Sequence, residues 1–438
     1  MKIDSRIVAY YILSQFEKKG SQIPMIRDAI YSKYSLKNNL KQKATVLVNG
    51  VIRLRGRLDL MITFISSKNI SRLDKSVLTI LRIGFYEIIF ESKVPDYAAV
   101  NSSVSLAHKF SNKKTVGFTN AVLRNLVRRK NINKNWYKSL ESHRGWFSIP
   151  AWIEKRWLKH FGKRNFLKLI DFINQPAKTY IRCDSNINSM EKNMSLLEED
   201  GIESELYLNK FLLLKSSSSK ILASKLFKKG KISIQSPSAA AIVDCLEAKV
   251  GDVVLDVCAA PGTKTLQLAN LVGSDGYVYA SDISLTRVTT GERDIIRHGK
   301  KNIKWSVKDA RKSSYQIADK ILIDAPCSGT GVIGRRPDIR WRRKESDLKK
   351  FSDIQLSIIN HCSKFLKKGG TLVYATCSIE PEENSMVMEQ FLNLNSNFIV
   401  EEIPNSIPDP WIKDKVTLNI LPHDHGIDGI FAMRMKKT

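Results

Sequence analysis

The spacing of apolar residues along the chain divides it into three parts with different predicted secondary structure. In residues 1–135 the apolar positions recur at the interval that places them on one face of a helix. One such face comprises Val77, Ile80, Leu81, Gly84, Phe85 and Ile88. The ranges 98–107 and 117–129 follow the same pattern, so residues 1–135 are predicted to form an all-helical domain.

The second part, residues 136–233, mixes the periods of helices and strands. The predicted helices are 152–157, 165–173 and 189–200, and the predicted strands are 179–183 and 211–215. This order indicates a small α+β module, which resembles ferredoxin-like or RNA-recognition-motif domains.

In the third part, residues 234–438, strand-like apolar runs alternate with helical ones. The predicted strands are 253–257, 277–280, 303–307, 321–323 and 372–375, with helices at 265–271 and 348–366. Such alternation is typical of a mostly parallel, doubly wound sheet of the Rossmann-like type. The expected fold class is therefore multidomain, combining α and α/β domains.

Basic residues are abundant and unevenly distributed. The 438-residue chain has a formal net charge of +28, and residues 1–135 hold 25 Lys and Arg against 8 Asp and Glu, a net +17. This balance favours a polyanionic partner, with nucleic acid first and a membrane surface second, unless the lysines only solvate the surface. The densest groups, expected to contact phosphates, are Arg53, Arg55, Arg57, Arg124, Arg128, Arg129 and Lys130.

Two of the six cysteines follow strand-like runs directly. Cys327 lies in Asp324-Ala-Pro-Cys-Ser-Gly-Thr-Gly331, and Cys377 lies in Leu372-Val-Tyr-Ala-Thr-Cys-Ser378. Because ligands bind at the carboxyl ends of the strands in open α/β sheets, both thiols are expected at one crevice. The six cysteines form no Cys-x-x-Cys pair, so a zinc site built from them is not expected.

A glycine-containing turn and three acids predict a cofactor site at the same edge. The turn Cys258-Ala-Ala-Pro-Gly-Thr-Lys264 follows the strand at 253–257 and begins a helix, so free backbone N–H groups can approach a ligand. It has neither the glycine before lysine of a P-loop nor the glycine pattern of dinucleotide sites. Asp282, Asp309 and Asp324 end successive strands. Acids without a phosphate loop suit S-adenosylmethionine, although each acid alone could equally cap a helix or turn.

These motifs together resemble a known family. Pro326-Cys-Ser-Gly-Thr-Gly331 and Ala375-Thr-Cys-Ser378, together with the cofactor turn, are similar to motifs of RNA (cytosine-5)-methyltransferases. In the helical part, the segments 79–87, 94–100 and 117–124 resemble the helical domain shared with the antitermination factor NusB. The combination resembles bacterial 16S ribosomal RNA (cytosine-5)-methyltransferases of the Sun/Fmu type over essentially the whole chain.

The resemblance implies an S-adenosylmethionine-dependent enzyme that methylates C5 of a cytosine through a covalent cysteine–C6 adduct. It assigns Cys377 as the nucleophile and Cys327 as the thiol that helps to release the product. Position alone does not rank the two thiols, since DNA cytosine-5 methyltransferases use the Pro-Cys thiol. Asp324 is expected to bond the N3 edge of the base. The implied cofactor contacts are Cys258, Ala259, Ala260, Pro261, Gly262, Thr263, Lys264, Asp282, Asp309 and Asp324.

Three positions depart from the family's usual pattern. Ile234-Gln-Ser-Pro-Ser-Ala239 stands where Gln-Asp-Glu-Ala-Ser is common, so acids expected near the cleft are missing. Thr263 replaces a usual glycine in the cofactor turn, and Arg182-Cys-Asp184 replaces a usual Arg-Val-Asn. None of these changes involves the two thiols, but they affect the expected positioning of the substrate.

The expected partner is 16S ribosomal RNA, either naked or in a partly assembled small subunit, with the target base out of its stack. The segment after the Cys327 loop supplies the predicted RNA contacts, namely Arg335, Arg336, Arg340 and Trp341. Two alternatives stay open. One is a non-catalytic RNA-binding or antitermination factor, and the other is a cytosine-5 methyltransferase that acts on another RNA or on DNA.

The remaining expectations concern location and assembly. No apolar run approaches the ~20 residues that a membrane helix needs, so we expect a cytoplasmic protein without membrane association. His423-Asp-His425 lies in a loop and is interpreted as structural, so no metal is expected. The protein is expected to act as a monomer.

Overall fold

The computed structural model describes residues 3–183, 187–215 and 220–438. Asp184, the last residue of the unusual Arg182-Cys-Asp184 segment, lies outside the described residues. The chain forms two compact units, one of Met1–Pro176 with Ile333–Arg343 and the other of Ala177–Val332 with Lys344–Thr438. The first unit extends past residue 135, where the sequence predicted a domain boundary. The reason is that Trp136, Leu140 and Trp146 pack into its hydrophobic core.

The first unit is helical, as the sequence predicted. Its helices are α1 (Ser5–Lys19), α2 (Ile23–Lys33), α3 (Asn38–Arg53), α4 (Arg55–Ser66), α5 (Lys75–Phe90), α6 (Asp96–Phe110), α7 (Lys113–Ile132) and α8 (Ala151–Ile173). Helix α5 begins where the Asp74 carboxylate accepts hydrogen bonds from the N–H groups of Ser76 (2.8 Å) and Val77 (3.2 Å). The predicted apolar face of α5 is buried in the core. Helix α8 joins two predicted helices across Gly162, whose φ of 70° breaks the helical backbone.

A four-stranded antiparallel sheet begins the second unit. Its elements are β1 (Tyr180–Cys183), α9 (Ile187–Glu199), β2 (Ser204–Tyr207), β3 (Phe211–Leu214), α10 (Lys225–Lys228) and β4 (Ile232–Ile234). The strand order is β2-β3-β1-β4 with antiparallel neighbours, which is the βαββαβ arrangement of ferredoxin-like modules. The sequence predicted β1, α9 and β3; the other three elements have only three or four residues each and left no periodic pattern.

A nine-stranded sheet forms the rest of the second unit. In chain order its region contains α11 (Pro237–Asp244), β5 (Val253–Val257), α12 (Thr263–Val272), β6 (Tyr277–Asp282), α13 (Leu285–His298), β7 (Ile303–Val307), β8 (Ala318–Asp324), α14 (Ile339–Arg342, in the segment that belongs to the first unit), α15 (Ser346–Cys362), β9 (Leu366–Thr376), α16 (Ser385–Leu394), β10 (Phe398–Val400), β11 (Ile412–Lys413), β12 (Thr417–Ile420), α17 (Pro422–His425) and β13 (Ile430–Lys437). The strand order is β11-β12-β13-β9-β8-β5-β6-β7, and β10 pairs with β13.

The strand order places a topological switch point beside β5. Strands β9, β8, β5, β6 and β7 are parallel, and the chain passes from β5 to β6 on one side and later to β8 on the other. The predicted doubly wound core is therefore present. The antiparallel extension through β13 was not predicted, because β10, β11 and β12 have only two to four residues each and the extension is defined by pairing with β9. Ligands bind at such a switch point, at the carboxyl ends of the strands.

The described residues contain no helix that is both long and apolar enough to span a bilayer.

Candidate active site

The turn after β5 has a tightly constrained backbone. Cys258 adopts a φ of 61°, and the Ala259 N–H donates a 2.8 Å hydrogen bond to the Ser281 carbonyl at the end of β6. Gly262 has a φ of 106°, and a Cβ at this position would lie 2.9 Å from the Trp305 ring. Helix α12 then begins at Thr263, so its first N–H groups face the carboxyl edge of the sheet.

Two of the three predicted cofactor acids are already held by basic side chains nearby in sequence. Asp282 is buried, and its Oδ1 accepts a 3.0 Å hydrogen bond from the Ser284 N–H, while Arg287 lies 2.9 Å from Oδ2. Asp309 accepts hydrogen bonds from Nε (2.9 Å) and Nη2 (2.8 Å) of Arg311. These Arg311 bonds lower the pKa of Asp309 to about 2. Both acids thus lie beside an arginine at the ends of neighbouring strands.

The third acid, Asp324, forms a short ion pair inside the site. The Lys264 Nζ donates to Asp324 Oδ2 at 2.6 Å, which joins the cofactor turn to the end of β8. Burial opposes the charge on Lys264, but attraction to Asp324 outweighs it and raises the pKa of Lys264. A permanent positive charge therefore lies between the cofactor turn and the strand that leads to Cys327.

Sequence reasoning missed Asp256, which lies under this pair. It is fully buried in β5, where its Oδ2 accepts a 2.7 Å hydrogen bond from Thr265 Oγ1. Burial raises the pKa of Asp256 to about 7, although the Thr265 hydroxyl and Lys264 act in the opposite direction. An acid inside the apolar run Val253-Val-Leu-Asp-Val257 was the available signal, since buried strands rarely carry an unpaired carboxylate.

The two thiols singled out by the sequence lie together. The Sγ atoms of Cys327 and Cys377 are 3.1 Å apart, and both side chains are half-buried. Their proximity follows from the sheet, because Asp324 at the end of β8 pairs with Ala375 of β9. The hydrogen bond to Cys377, together with burial, raises the pKa of the Cys327 thiol. The environment of the pair therefore favours a proton on the Cys327 sulfur.

A second acid missed by sequence reasoning, Glu383, contacts both thiol loops. It is fully buried after β9 and accepts hydrogen bonds from the Ser328 N–H at 2.7 Å and from Ser378 Oγ at 2.5 Å. Its position in Pro381-Glu-Glu-Asn384 gave no sign of this, because acid-rich turns are usually solvated.

The predicted RNA contacts after the Cys327 loop need correction. Arg340 is fully buried within the first unit. Its guanidinium donates to the carbonyl oxygens of Arg53 (2.9 Å), Ser148 (3.0 Å) and Ile173 (3.0 Å) and to Asn174 Oδ1 (2.7 Å). These bonds use the donors that would have contacted phosphate. Arg340 is an internal anchor and is not placed to touch RNA.

The same segment also turns Trp341 inward. Its Nε1–H donates to the Ile52 carbonyl at 2.8 Å, and the Arg55 guanidinium lies 5.0 Å from the centre of its ring. The indole face that was expected to stack on a base is thereby occupied by arginine. Arg335 is half-buried and Arg336 is exposed, so Arg336 is the member of the predicted set with the most accessible side chain.

The basic groups of the helical unit separate into two kinds. Arg53 is buried, Arg55 pairs with Glu17, and Arg57 donates to the Trp146 carbonyl at 2.9 Å, so this first group stabilises the fold. In α7, Arg124 and Arg128 are exposed. In the same helix Arg129 is also exposed, although its guanidinium lies over the Phe64 ring, and Lys130 pairs with Asp96. Of the basic residues singled out by the sequence, the arginines of α7 are therefore the most available to a polyanion.

The described residues contain no cluster of three or more His, Cys, Asp or Glu arranged for a metal ion. The ring of His425 hydrogen-bonds main-chain groups, with Nε2 2.7 Å from the Pro410 carbonyl.

One buried acid oxygen permits a test of whether a nucleoside cofactor fits. Asp282 Oδ2 accepts no hydrogen bond of good geometry from the described residues, and the basic group beside it is the exposed Arg287 guanidinium at 2.9 Å, so this oxygen can accept from a further donor. A ribose hydroxyl is such a donor, and the adjacent turn leaves main-chain N–H groups for the rest of the ligand. The residues present therefore fit S-adenosylmethionine.

Comparisons with known proteins identify the families that the chain resembles. The family described as 16S rRNA methyltransferase RsmB/F matches residues 243–436, and the NusB family matches residues 3–128. A solved methyltransferase homolog from Pyrococcus horikoshii superimposes with a TM-score of 0.56 at 25% identity, covering 67% of this chain and 96% of that one.

Two curated relatives are similar over nearly the full length. "Probable ribosomal RNA small subunit methyltransferase B" of Bacillus subtilis (strain 168) is 29% identical over 452 residues and covers 100% of this chain and 99% of its own. Ribosomal RNA small subunit methyltransferase B of Klebsiella pneumoniae (strain 342) is 30% identical over 400 residues, which covers 89% of this chain and 90% of that protein. Identity at this level across most of both chains means that the protein belongs to the S-adenosylmethionine-dependent 16S rRNA methyltransferase RsmB/F family.

Proposed function

We propose that the protein transfers a methyl group from S-adenosylmethionine to C5 of a cytosine in 16S ribosomal RNA, with Cys377 as the attacking nucleophile. The observation that carries this proposal is the 3.1 Å separation of the Cys327 and Cys377 sulfurs at the carboxyl ends of two neighbouring strands. Cytosine C5 is a weak carbon nucleophile, and a thiolate that adds to C6 activates it. Two thiols in contact supply one group for attack and one for release.

The cofactor is held by the chain's own residues at the β5 and β6 edges. When bound, S-adenosylmethionine supplies an electrophilic methyl group on a sulfonium. Asp282 would accept a hydrogen bond from the ribose through Oδ2, and the turn from Cys258 to Lys264 would hold the remainder. Asp309 lies at the end of β7, where it can face the adenine edge. The fixed charges of Lys264 and Asp324 orient this edge of the site.

Addition begins with the ionised thiol. Since the pKa of Cys327 is raised by its hydrogen bond to Cys377 and by burial, Cys327 keeps the shared proton and Cys377 attacks C6. The new S–C6 bond would place electron density on C5, which would take the methyl group while the carbon–sulfur bond of the donor breaks and its electrons stay on the departing, neutral sulfur. N3 of the adduct would gain a proton from solvent, Asp324 would accept a hydrogen bond from it, and N3 would return that proton to solvent on release.

Release uses the second thiol. After Cys377 is bonded to carbon it no longer carries a charge, so Cys327 can lose its own proton to solvent. Its thiolate then removes the proton from C5. The electrons of that C–H bond restore the C5–C6 double bond, and the electrons of the C6–S bond return to the Cys377 sulfur.

The two thiol roles are tested by separate substitutions. Cys377→Ala is expected to abolish methyl transfer and any covalent RNA complex, whereas Cys327→Ala should accumulate a complex that survives a denaturing gel. Tritium transfer from labelled S-adenosylmethionine to a 16S transcript, together with gel mobility, gives both readouts. Cys245→Ala, at a buried cysteine in the core, is the control and should keep activity. Methyl transfer by Cys377→Ala would refute the proposal, and a complex trapped only by Cys377→Ala would reverse the roles.

The acceptor is tested with the same assay. A naked 16S transcript, a partly assembled small subunit, a 23S transcript and DNA are offered in parallel, and bisulfite sequencing locates the product base. We propose that the protein acts as a cytoplasmic monomer without a metal. We expect methylation of the 16S transcript or of the small subunit and of no other acceptor, and we expect a chelator to leave it unchanged. Methyl transfer to DNA or to 23S RNA at an equal rate would exclude 16S RNA as the specific substrate.

A further inference from the structure

A buried carboxylate lies behind the two thiols, and the proposed chemistry does not use it directly. Glu383 follows β9 in the turn Pro381–Glu383 and has no solvent exposure. A buried acid is costly unless every oxygen is hydrogen-bonded, so its partners indicate why it is retained.

The partners of Glu383 come from both thiol loops. Oε1 accepts from the Ser328 N–H at 2.7 Å and from Gln355 Nε2 at 3.1 Å, and Oε2 accepts from the hydroxyls of Ser328 and Ser378. Ser328 is the residue after Cys327, and Ser378 is the residue after Cys377. One carboxylate therefore fixes both reactive residues through their immediate neighbours.

Further bonds tighten the same junction. Gln355 of α15 also donates to the Pro326 carbonyl at 2.9 Å, on the other side of Cys327. The Gly331 N–H donates to the Cys377 carbonyl at 3.0 Å, and the Tyr374 hydroxyl donates to the Glu383 carbonyl at 2.6 Å. The Cys327 loop is therefore held by hydrogen bonds on both sides of the cysteine, and the Glu383 carboxylate is the acceptor that the two thiol loops share.

The donors also determine the chemical form of this residue. Ser378 Oγ accepts from the Glu380 N–H at 3.1 Å, so its own hydrogen is free to point at Glu383. Four donors converge on two oxygens, an arrangement that a carboxylate satisfies and an amide does not, because an amide presents an NH2 group to two of those donors.

We propose that Glu383 is a positioning residue that holds the Cys327 and Cys377 loops at the separation needed for thiol-assisted methylation. This inference rests on the proposed roles of the two thiols. It adds a residue that bonds neither cofactor nor RNA and acts only through Ser328, Ser378 and Gln355.

The charge of Glu383 has an electrostatic consequence for the thiols. The ionisable groups that act on Cys327 are Cys377, Glu383 and Asp324, and Lys264 acts on Cys377 from the cofactor turn. Tyr374 also faces Cys327 and Glu383 from β9. Burial raises the pKa of Glu383, and its hydrogen bonds from Ser328, Ser378 and Gln355 act in the opposite direction. In its ionised form Glu383 adds to the factors that raise the pKa of Cys327, after the Cys377 hydrogen bond and burial. Neutralising it should make Cys327 ionise at lower pH.

The test compares Glu383→Gln with Glu389→Gln, which removes the same charge from an exposed site on α16. Glu383→Gln should lower kcat by about 100-fold, since a displacement of ~1 Å at a catalytic group costs that much, while KM for RNA and the affinity for S-adenosylmethionine stay within a factor of two. Glu389→Gln should match the wild type. Wild-type kcat in Glu383→Gln would overturn the proposal.

A second readout is independent of turnover. The pH dependence of Cys327 alkylation by iodoacetamide, followed by mass spectrometry, should have a lower midpoint in Glu383→Gln than in either the wild type or Glu389→Gln. Ser378→Ala removes one donor to Glu383 and is the milder variant to use if Glu383→Gln fails to fold. It should lower kcat by less than Glu383→Gln does. The positioning role of Glu383 would also be refuted if the alkylation midpoint of Cys327 were unchanged in Glu383→Gln and kcat were unchanged in Ser378→Ala.

The outcomes separate this inference from the function on which it rests. If Cys377→Ala is inactive but Glu383→Gln turns over normally, only the positioning role fails. If Cys377→Ala still methylates, the thiol mechanism itself fails, whatever Glu383→Gln does.

Discussion

Three ionisable side chains, Lys264, Asp324 and Asp256, lie close together beneath the cofactor turn. Lys264 pairs with Asp324, and Thr265, the next residue, donates to Asp256. Lys264 and Asp324 come from motifs that the sequence had already singled out. Asp256 is different: no basic side chain in the described part of the chain lies within hydrogen-bonding distance of it, and burial raises its pKa to about 7.

This pKa predicts how stability depends on pH. The unfolded chain loses the Asp256 proton near pH 4, but the folded chain keeps it up to about pH 7, so the stabilisation is complete below pH 4 and is lost as the pH rises to 7. The slope is at most about 1.4 kcal/mol per pH unit. Melting temperatures between pH 5.5 and 7.5 should therefore fall more steeply in the wild type than in Asp256→Asn, whose amide oxygen still accepts from Thr265. Parallel profiles would contradict the assignment.

Sequence reasoning at this scale succeeded for residue types that are unusual in their context. Cys327 and Cys377 stand among small residues directly after apolar runs, and a thiol there has no obvious core to fill. Glu383 and Arg340 defeated the same reasoning, because acids and arginines are normally exposed. Only tertiary contacts show that these two side chains are enclosed by donors and carbonyl oxygens, respectively.

At the scale of elements, two loops cross where the thiol loop meets the turn before β13. The Gly429 N–H donates to the Gly331 carbonyl at 2.8 Å, and a Cβ on Gly331 would lie 2.4 Å from the Gly429 oxygen and 2.9 Å from the Cys377 oxygen. Both neighbours are backbone atoms, so they cannot turn aside as a side chain would. The absence of a side chain at residue 331 is therefore required for this crossing.

Gly331→Ala is expected to displace the Cys377 backbone and to lower methyl transfer by at least about tenfold, because small misplacements of catalytic groups are costly. Gly334→Ala is the matched control. Its Cβ would meet its nearest neighbour at 3.5 Å, an ordinary contact, and activity should be kept. Steady-state rates and circular dichroism of both variants make the comparison. Equal rates would show that the crossing tolerates a methyl group.

Element prediction from sequence was reliable where the periodic pattern was long. Helices α5, α6 and α7 and strands β5 to β9 were predicted, with boundaries off by a few residues. The strands missed were the short strands β2 and β4 and the antiparallel strands β10 to β13, and the helices α10, α11 and α16 were missed as well. A run of two to four residues does not establish a period, and an antiparallel extension is defined by pairing with β9 instead of by local sequence.

At the scale of the whole molecule, the chain leaves the second unit at Val332, contributes Ile333–Arg343 to the first unit and returns at Lys344. Arg340 fastens this segment by its bonds to three carbonyl oxygens and one amide oxygen. Burial lowers the pKa of Arg340 to about 9, which leaves the guanidinium charged at neutral pH. The predicted three-part division of the chain did not include this insertion, because a surface of arginines around Trp341 has the composition of an RNA-binding loop.

Arg340→Met keeps much of the side-chain volume but removes every donor. Leaving buried carbonyl oxygens unsatisfied costs about 1–3 kcal/mol each, so a loss of at least about 3 kcal/mol in the stability of the first unit is expected. Calorimetric unfolding of the full-length protein measures it. Arg336→Met changes an exposed arginine of the same segment and should have little effect. An equal effect of both substitutions would assign Arg340 no anchoring role.

The inserted segment also determines how the chain can be shortened. A protein without residues 1–176 would keep Ile333, Ile339 and Arg340 but lose the unit to which they belong, so two apolar side chains and a guanidinium would be left uncovered shortly after the Cys327 motif. A single truncation therefore cannot remove the first unit without exposing residues 333–343.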